Sequence, residues 1–242
     1  KKAKFIYHDL TKPIKFKLNI DVIIHCAAKH PFSSSGNDMK TIYRTNNTID
    51  RNLIKFSNLN NIKKVIFLST IHVYGKINKT TIAEDQLPNC PTLYGKSKFV
   101  SEKLFLDKRN SFSTTCLRLP GVMSYDLSQI NPLMLRVVKK FIQHKDVVAH
   151  SLDKKFNNII TSYDIAKFIN FILKRKKKDN NFYNFSASKP IEFIKVLNYM
   201  RKLLNSKSKI INNSAKNIAF TISNTKLKQN LNFQNPSTEI II

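Results

Sequence analysis

A chain of 242 residues with 42% hydrophobic content can bury a substantial core, which sets intrinsic disorder aside. The 42 Lys and Arg against 15 Asp and Glu leave a formal net charge of +27, but the excess is nearly all lysine scattered along the chain, so a dedicated nucleic-acid or membrane-surface protein is not the expectation. No apolar run approaches the roughly 18–20 residues of a membrane span, and the three widely spaced cysteines, Cys26, Cys90 and Cys116, suit a reducing, cytoplasmic compartment and offer no metal spacing.

In chain order, KFIYHDL (4–10) reads as a strand ending at Asp9, and IDVIIHCAA (20–28) as a continuous apolar strand covered on both faces. Residues 39–61 carry a helical stripe through Ile42, Ile49, Leu53, Ile54 and Leu59, and KKVIFLST (63–70) is a second buried strand. A loop at 75–93 precedes a helix over Tyr94–Lys108 and the strand STTCLRLP ending at Pro120. Beyond Gly121 the pattern predicts a helix at 129–143, strands DVVAH and FNNIITS, a helix at 163–177, the strand NFYNFSA and a helix at 191–204. The run KRKKK (174–178) reads as a solvated helix end, where cations suit the helix dipole. Alternating strands and helices imply an α/β fold with a mainly parallel sheet, in which ligands gather at the carboxyl ends of the strands. Those ends are Asp9, Ala27-Ala28, Ser69-Thr70 and Leu119-Pro120.

The stretch YGKSKFVSEK places Tyr94 and Lys98 four residues apart at a helix start, hence on one face. A phenol, with an ordinary pKa of ~10, is a poor base at neutral pH; a nearby ammonium stabilises the phenolate and makes the tyrosine a usable acid/base. Such a pair also occurs by chance. The hydroxyl at the strand end Ser69-Thr70 is what turns it into a candidate site.

VIFLSTIHVYG (65–75), PTLYGKSKFVSEKL (91–104), LRLPGV (117–122), SYDIAKFI and the tail SNTKLKQNLNFQNPS together resemble the extended short-chain dehydrogenase/reductases, in particular their NAD-dependent epimerase/dehydratase branch acting on nucleotide sugars. The resemblance implies a Rossmann-like doubly wound parallel sheet over 1–122, with segments returning to it at about 156–186, and a smaller substrate lobe over 123–242. It implies that Tyr94 is the catalytic acid/base, that Lys98 holds the nicotinamide ribose and lowers the tyrosine pKa, and that Thr70 hydrogen-bonds the substrate hydroxyl. The cofactor, NAD or NADP, would be lined by Asp9, Leu10, Cys26, Ala27, Ala28, Asn47, Ser69 and a strand-end loop of Pro120, Gly121 and Val122. His72 reads either as a second acid/base or as a polar loop residue. Lys29, His30 and Ser33–Ser35 would line the sugar pocket or form an exposed loop. Asn157 falls where many members carry an arginine to the nucleotide diphosphate, with Lys154, Lys155 or Lys216 as candidate substitutes. A nucleotide sugar is the expected partner, along with a second copy of the chain in a homodimer.

The chain departs from the family at two places. Its four glycines, Gly36, Gly75, Gly95 and Gly121, form no G-x-x-G-x-x-G phosphate loop, and the first residues resemble the family's third strand. The expectation is that a first β-α-β unit lies upstream, and that the stretch as given binds NAD(P) poorly and is inactive alone. At the dehydratase Asp-Glu pair it has Ile71-His72, which ranks epimerase or reductase above dehydratase. The alternatives are a related dehydrogenase acting on a non-sugar carbonyl and a catalytically silent basic binding protein.

Overall fold

The computed structural model describes residues 3–31, 38–124, 133–213 and 219–241. β1 (Val22–His25) leads to α1 (Met39–Leu59), β2 (Lys64–Thr70), a 3₁₀ turn (Ile71–Tyr74) and β3 (Thr81–Ile82). α2 (Leu93–Phe105), β4 (Ser113–Leu119), β5 (Gly121–Met123) and α3 (Leu133–Ile142) follow. Then come β6 (Val147–Ala149), β7 (Lys155–Phe156), β8 (Ile159–Thr161), α4 (Ser162–Lys174) and β9 (Asn181–Asn184). The remainder runs through β10 (Ile191–Glu192), α5 (Phe193–Leu203), β11 (Ile210–Asn212), β12 (Thr221–Ile222), α6 (Thr225–Leu231) and α7 (Thr238–Ile241).

The chain divides into two compact units. The first comprises Lys1–Val73, Pro91–Leu117 and Lys177–Phe182. β1 and β2 pair in parallel, from Val22 opposite Lys64 to His25 opposite Phe67, within a four-stranded sheet of order β1-β2-β4-β9. α1 starts where the Asp38 carboxylate accepts the Lys40 N–H, a cap that satisfies one of the donors a helix start leaves open. Its buried stripe, Ile42, Asn46, Ile49, Asp50, Leu53 and Phe56, follows helical spacing. Leu53 and Phe56 join Val65, Phe67, Phe105 and Cys116 in an apolar core.

The second unit comprises Tyr74–Cys90, Arg118–Lys176 and Tyr183–Ile242. Its strands pair two by two: β5 with β8, β6 with β11 and β3 with β12 in parallel, β7 with β10 antiparallel. α4 begins with a reciprocal cap in which Thr161 Oγ1 accepts the Asp164 N–H and the Asp164 carboxylate accepts the Thr161 N–H. α3 and α5 meet in a core built on Val137, Phe141, Val196 and Leu197.

Three expectations change. Residues 4–10 form no strand: they pair with no neighbour among the described residues, Phe5 and Tyr7 are exposed, and an extended segment without a ladder partner gains nothing from strand geometry. The segment at 156–162 is split: Asn157 and Asn158 separate β7, paired with β10, from β8, paired with β5. Pro120–Val122 is not a loop: Gly121 and Val122 belong to β5, paired with Ile159 and Ile160. The predicted helix at 129–143 is seen from Leu133; residues 129–132, Ser33–Ser35 and Lys216 lie outside the described residues.

Candidate active site

Within the first unit, the carboxyl ends of β1 and β2 and the first turns of α2 bring the predicted chemistry together. Thr92 caps α2 by accepting the Gly95 N–H at 3.2 Å. A Cβ on Gly95 would lie 2.2 Å from the His72 carbonyl oxygen and 3.2 Å from Pro91 Cβ, so only glycine lets α2 begin this close to the 3₁₀ turn. Tyr94 and Lys98 both fall on the buried face of α2. Thr70 closes β2, and its Oγ1 accepts the His72 N–H at 3.3 Å, which fixes the turn. Alternation along the strand sends Ser69 the other way: its hydroxyl donates to Glu102 Oε1 at 2.6 Å.

Tyr94 is 8% exposed, with the His30 ring 4.9 Å and the His72 ring 6.2 Å from its own, both edge-on. Burial pushes its phenol up to about 12. That corrects the expected lowering by Lys98. The Lys98 ammonium rests 4.3 Å above the Phe67 ring. Burial holds its pKa below the ordinary 10.5, opposed first by the Asp50 carboxylate and then by Glu102. Its charge is matched by the interior carboxylates rather than by the phenol. Burial also lowers His30, helped by the charges of His72 and Lys98, and lowers His72, although part of the His72 residue stays exposed.

The network behind these residues was not anticipated. Asp50 takes a 2.6 Å bond from His25 Nε2 on one oxygen and a short bond from the Ser101 hydroxyl on the other; all three residues are buried. One turn earlier, Asn46 clamps the backbone after β1, accepting the Lys29 N–H at 2.7 Å and donating to the Lys29 carbonyl at 3.1 Å. The neighbouring Asn47, singled out from sequence, instead donates to Tyr43 O of its own helix. Two polar residues four apart on an otherwise apolar stripe, Asn46 and Asp50, were the available signal.

Other candidates lie differently. Cys26 and Ala28 are exposed at the end of β1 and Ala27 is half-buried; burial raises the Cys26 thiol and the Lys98 charge opposes that. Asp9 is exposed, its carboxylate engaged by the Thr11 N–H and hydroxyl, and the Leu10 carbonyl accepts from Asn52. In the second unit, both N–H groups of Asn157 bond backbone carbonyls, Ala187 and Ile222, at 2.8 Å, and its oxygen accepts the Ile222 N–H. This buried amide ties strands together, which corrects its assignment to a substrate diphosphate. For a dinucleotide, the small side chains at 26–28 leave the β1 end open to close approach, and the Lys98 charge reaches Cys26 there. Among the described residues no cluster of His, Cys, Asp and Glu suits a metal ion, and no helix is long and apolar enough to cross a membrane.

A parallel sheet with helices between its strands is the architecture in which dinucleotides bind at the strand ends. The chain belongs to the NAD dependent epimerase/dehydratase family, whose model matches residues 2–185. An uncharacterized protein of Methanocaldococcus jannaschii is 23% identical over 208 residues; the match takes in 84% of this chain and 62% of that protein. The chain thus spans about three fifths of the length of that relative. RMD from Pseudomonas aeruginosa, solved with NADPH, superposes with a TM-score of 0.79 at 14% identity, covering 96% of this chain and 84% of its own. UDP-glucuronic acid 4-epimerase from Bacillus cereus, solved with NAD, gives 0.74 at 19% identity, covering 91% and 70%. These structural likenesses establish the Rossmann-like α/β fold.

Proposed function

We propose that the protein carrying this chain is an NAD(P)-dependent nucleotide-sugar epimerase or reductase. The observation that supports the reading is that Tyr94 and Lys98 share the buried face of α2 while Thr70, at the end of β2, holds the N–H of His72, whose ring lies 6.2 Å from that of Tyr94. A bound nicotinamide dinucleotide supplies hydride acceptance and return, the chemistry that inverts or reduces a sugar carbon. Tyr94 exchanges the proton of the reacting hydroxyl, and Thr70, whose Oγ1 accepts from the His72 N–H, retains its own O–H to orient that hydroxyl. Lys98 holds the nicotinamide ribose, with Asp50 and Glu102 matching its charge from behind. Ala27 and Ala28 leave room for the cofactor, and Lys29 and His30 face the sugar. The first unit is the cofactor-binding half. By analogy with the family, α1 and α2 pair with their copies in a homodimer.

The test is to supply the protein with NAD or NADP and a panel of UDP-sugars beside small non-sugar carbonyls. Interconversion of sugar epimers without net NADH is the expected outcome for an epimerase, and net cofactor turnover on the sugar for a reductase. Turnover confined to the non-sugar carbonyls would overturn the reading.

A further inference from the structure

In sequence the lysine excess is scattered, but within the second unit the fold gathers part of it at one end of the α3/α5 pair. Both helices finish in the same way. A residue in the left-handed region turns the chain, His144 at φ 53° and Asn205 at φ 47°. The next N–H then returns to the helix, Lys145 to the Lys140 carbonyl and Ser206 to the Arg201 carbonyl, each at 2.9 Å. The two loops that follow are bonded to each other: the Lys207 N–H donates to His144 Nδ1 at 3.3 Å, the Lys209 N–H to Asp146 Oδ1 at 2.9 Å, and the Val147 N–H to the Lys209 carbonyl at 2.9 Å. The C-terminal turns of α3 and α5 therefore meet at one end. Residues 139–146 and 201–209 carry seven Lys and Arg against one carboxylate, Asp146, which already accepts the Lys209 N–H. Lys139, Lys140, Lys145, Lys202, Lys207 and Lys209 are all exposed.

Aliphatic side chains stand among these cations. Ile142, the last residue of α3, is 48% exposed, and Leu203, the last of α5, is 64% exposed. Tyr199, four residues before Leu203 and so on its face, is exposed as well. A solvated helix end accounts for the lysines, whose charge suits the helix dipole, but gains nothing from aliphatic tips beside them. We propose that this end of the second unit docks on an anionic phospholipid surface, with the lysines at the headgroup phosphates and Ile142 and Leu203 at the boundary with the acyl chains. Charge complementarity selects an anion, since each lysine at such a surface raises affinity about fivefold. The aliphatic tips select among anions. Nucleic-acid contacts draw on arginine forks and stacking platforms, whereas the one arginine here, Arg201, donates to the Ser208 carbonyl. Ile142 and Leu203 gain nothing from a phosphate backbone, but they do gain from the interfacial layer of a bilayer. Docking of this kind is independent of the reaction proposed for the first unit.

The test is cosedimentation of the protein carrying this chain with vesicles of phosphatidylcholine alone, or of phosphatidylcholine with about one third phosphatidylglycerol, at near-physiological salt. Partition should be about a hundredfold stronger on the anionic vesicles and should weaken as salt rises. Lys139→Gln/Lys145→Gln/Lys202→Gln/Lys207→Gln should lower it about a hundredfold. A matched control that neutralises the other dense run, Lys174→Gln/Lys176→Gln/Lys177→Gln/Lys178→Gln, should change it less than about threefold. Ile142→Ser/Leu203→Ser should keep the salt dependence and lose about tenfold in partition. All the substituted side chains are exposed, so the fold is left intact. Equal partition of the unsubstituted protein on the two vesicles would overturn docking without any variant. A control that falls as far as the patch variant would also overturn it, by reducing the effect to net charge, and so would an unchanged partition of Ile142→Ser/Leu203→Ser. Binding of an oligouridine that needs the four patch lysines, with vesicle binding that does not, would make this end a nucleic-acid surface instead.

Discussion

The helix pair α1/α2 and the helix pair α3/α5 solve the same packing problem in opposite ways. Between α3 and α5 the contact is apolar throughout: Met134, Val137 and Phe141 meet Val196, Leu197 and Met200. Between α1 and α2, polar side chains occupy the buried faces, with Asp50 bound by Ser101, Asn46 3.5 Å from Ser97, and Lys98 and Glu102 alongside. Burying charge is unfavourable unless it is paired and hydrogen-bonded, and nothing in the fold requires charge there, since α3 and α5 pack without it. The difference fits the proposal that the α1/α2 interface supports chemistry. The α3/α5 contact depends on volume, whereas α1/α2 depends on the identity of particular atoms.

The comparison is tested most strongly at Asp50. Asp50→Ala leaves His25 and Ser101 without their buried acceptor and should cost about 3–5 kcal/mol in urea unfolding. A loss below about 1 kcal/mol would mean the network is dispensable. Gly95→Ala should cost about 1–3 kcal/mol through overpacking against the His72 carbonyl, and should move the His72 ring relative to Tyr94 in the NMR spectrum. Leu197→Met, a volume-conserving change in the apolar pair, should cost under about 1.5 kcal/mol; a loss as large as that of Asp50→Ala would erase the contrast between the pairs.

The smallest effect is in pH dependence. His30 and His72 have folded pKa values depressed below 6.5, so on acidification the unfolded chain takes up protons first. Their contribution to stability is therefore complete well above 6.5 and declines as the pH falls through that value, continuing until the folded pKa is passed. The His30→Gln/His72→Gln variant should flatten this slope in urea titrations, while Leu197→Met should leave it unchanged. An identical slope in the double variant would contradict the assignment.

Much of the fold was legible because β2 carries the apolar run VIFL and α1 a regular stripe. Residues 4–10 misled because an apolar extended run becomes a strand only beside a partner. The two-residue ladder of β3 and β12 joins segments about 140 residues apart, and no local pattern announces it. At the site, the i, i+4 spacing of Tyr94 and Lys98 put both on the buried face of α2. The adjacent asparagines 46 and 47 cannot be ranked from the sequence, since only burial decides which one faces Lys29. The direction of the Lys98 charge was equally hidden, because Asp50 lies on another helix and no local spacing announces its approach to Lys98.

The central claim is that Tyr94 is the acid/base of a nucleotide-sugar enzyme. The most direct test measures kcat on UDP-sugars for the protein carrying this chain and for its Tyr94→Phe variant, with NAD binding followed in parallel. The expected result is a fall of about 10²–10⁴ in kcat with cofactor binding nearly intact. Turnover retained by Tyr94→Phe would contradict the claim and place the proton chemistry on another residue.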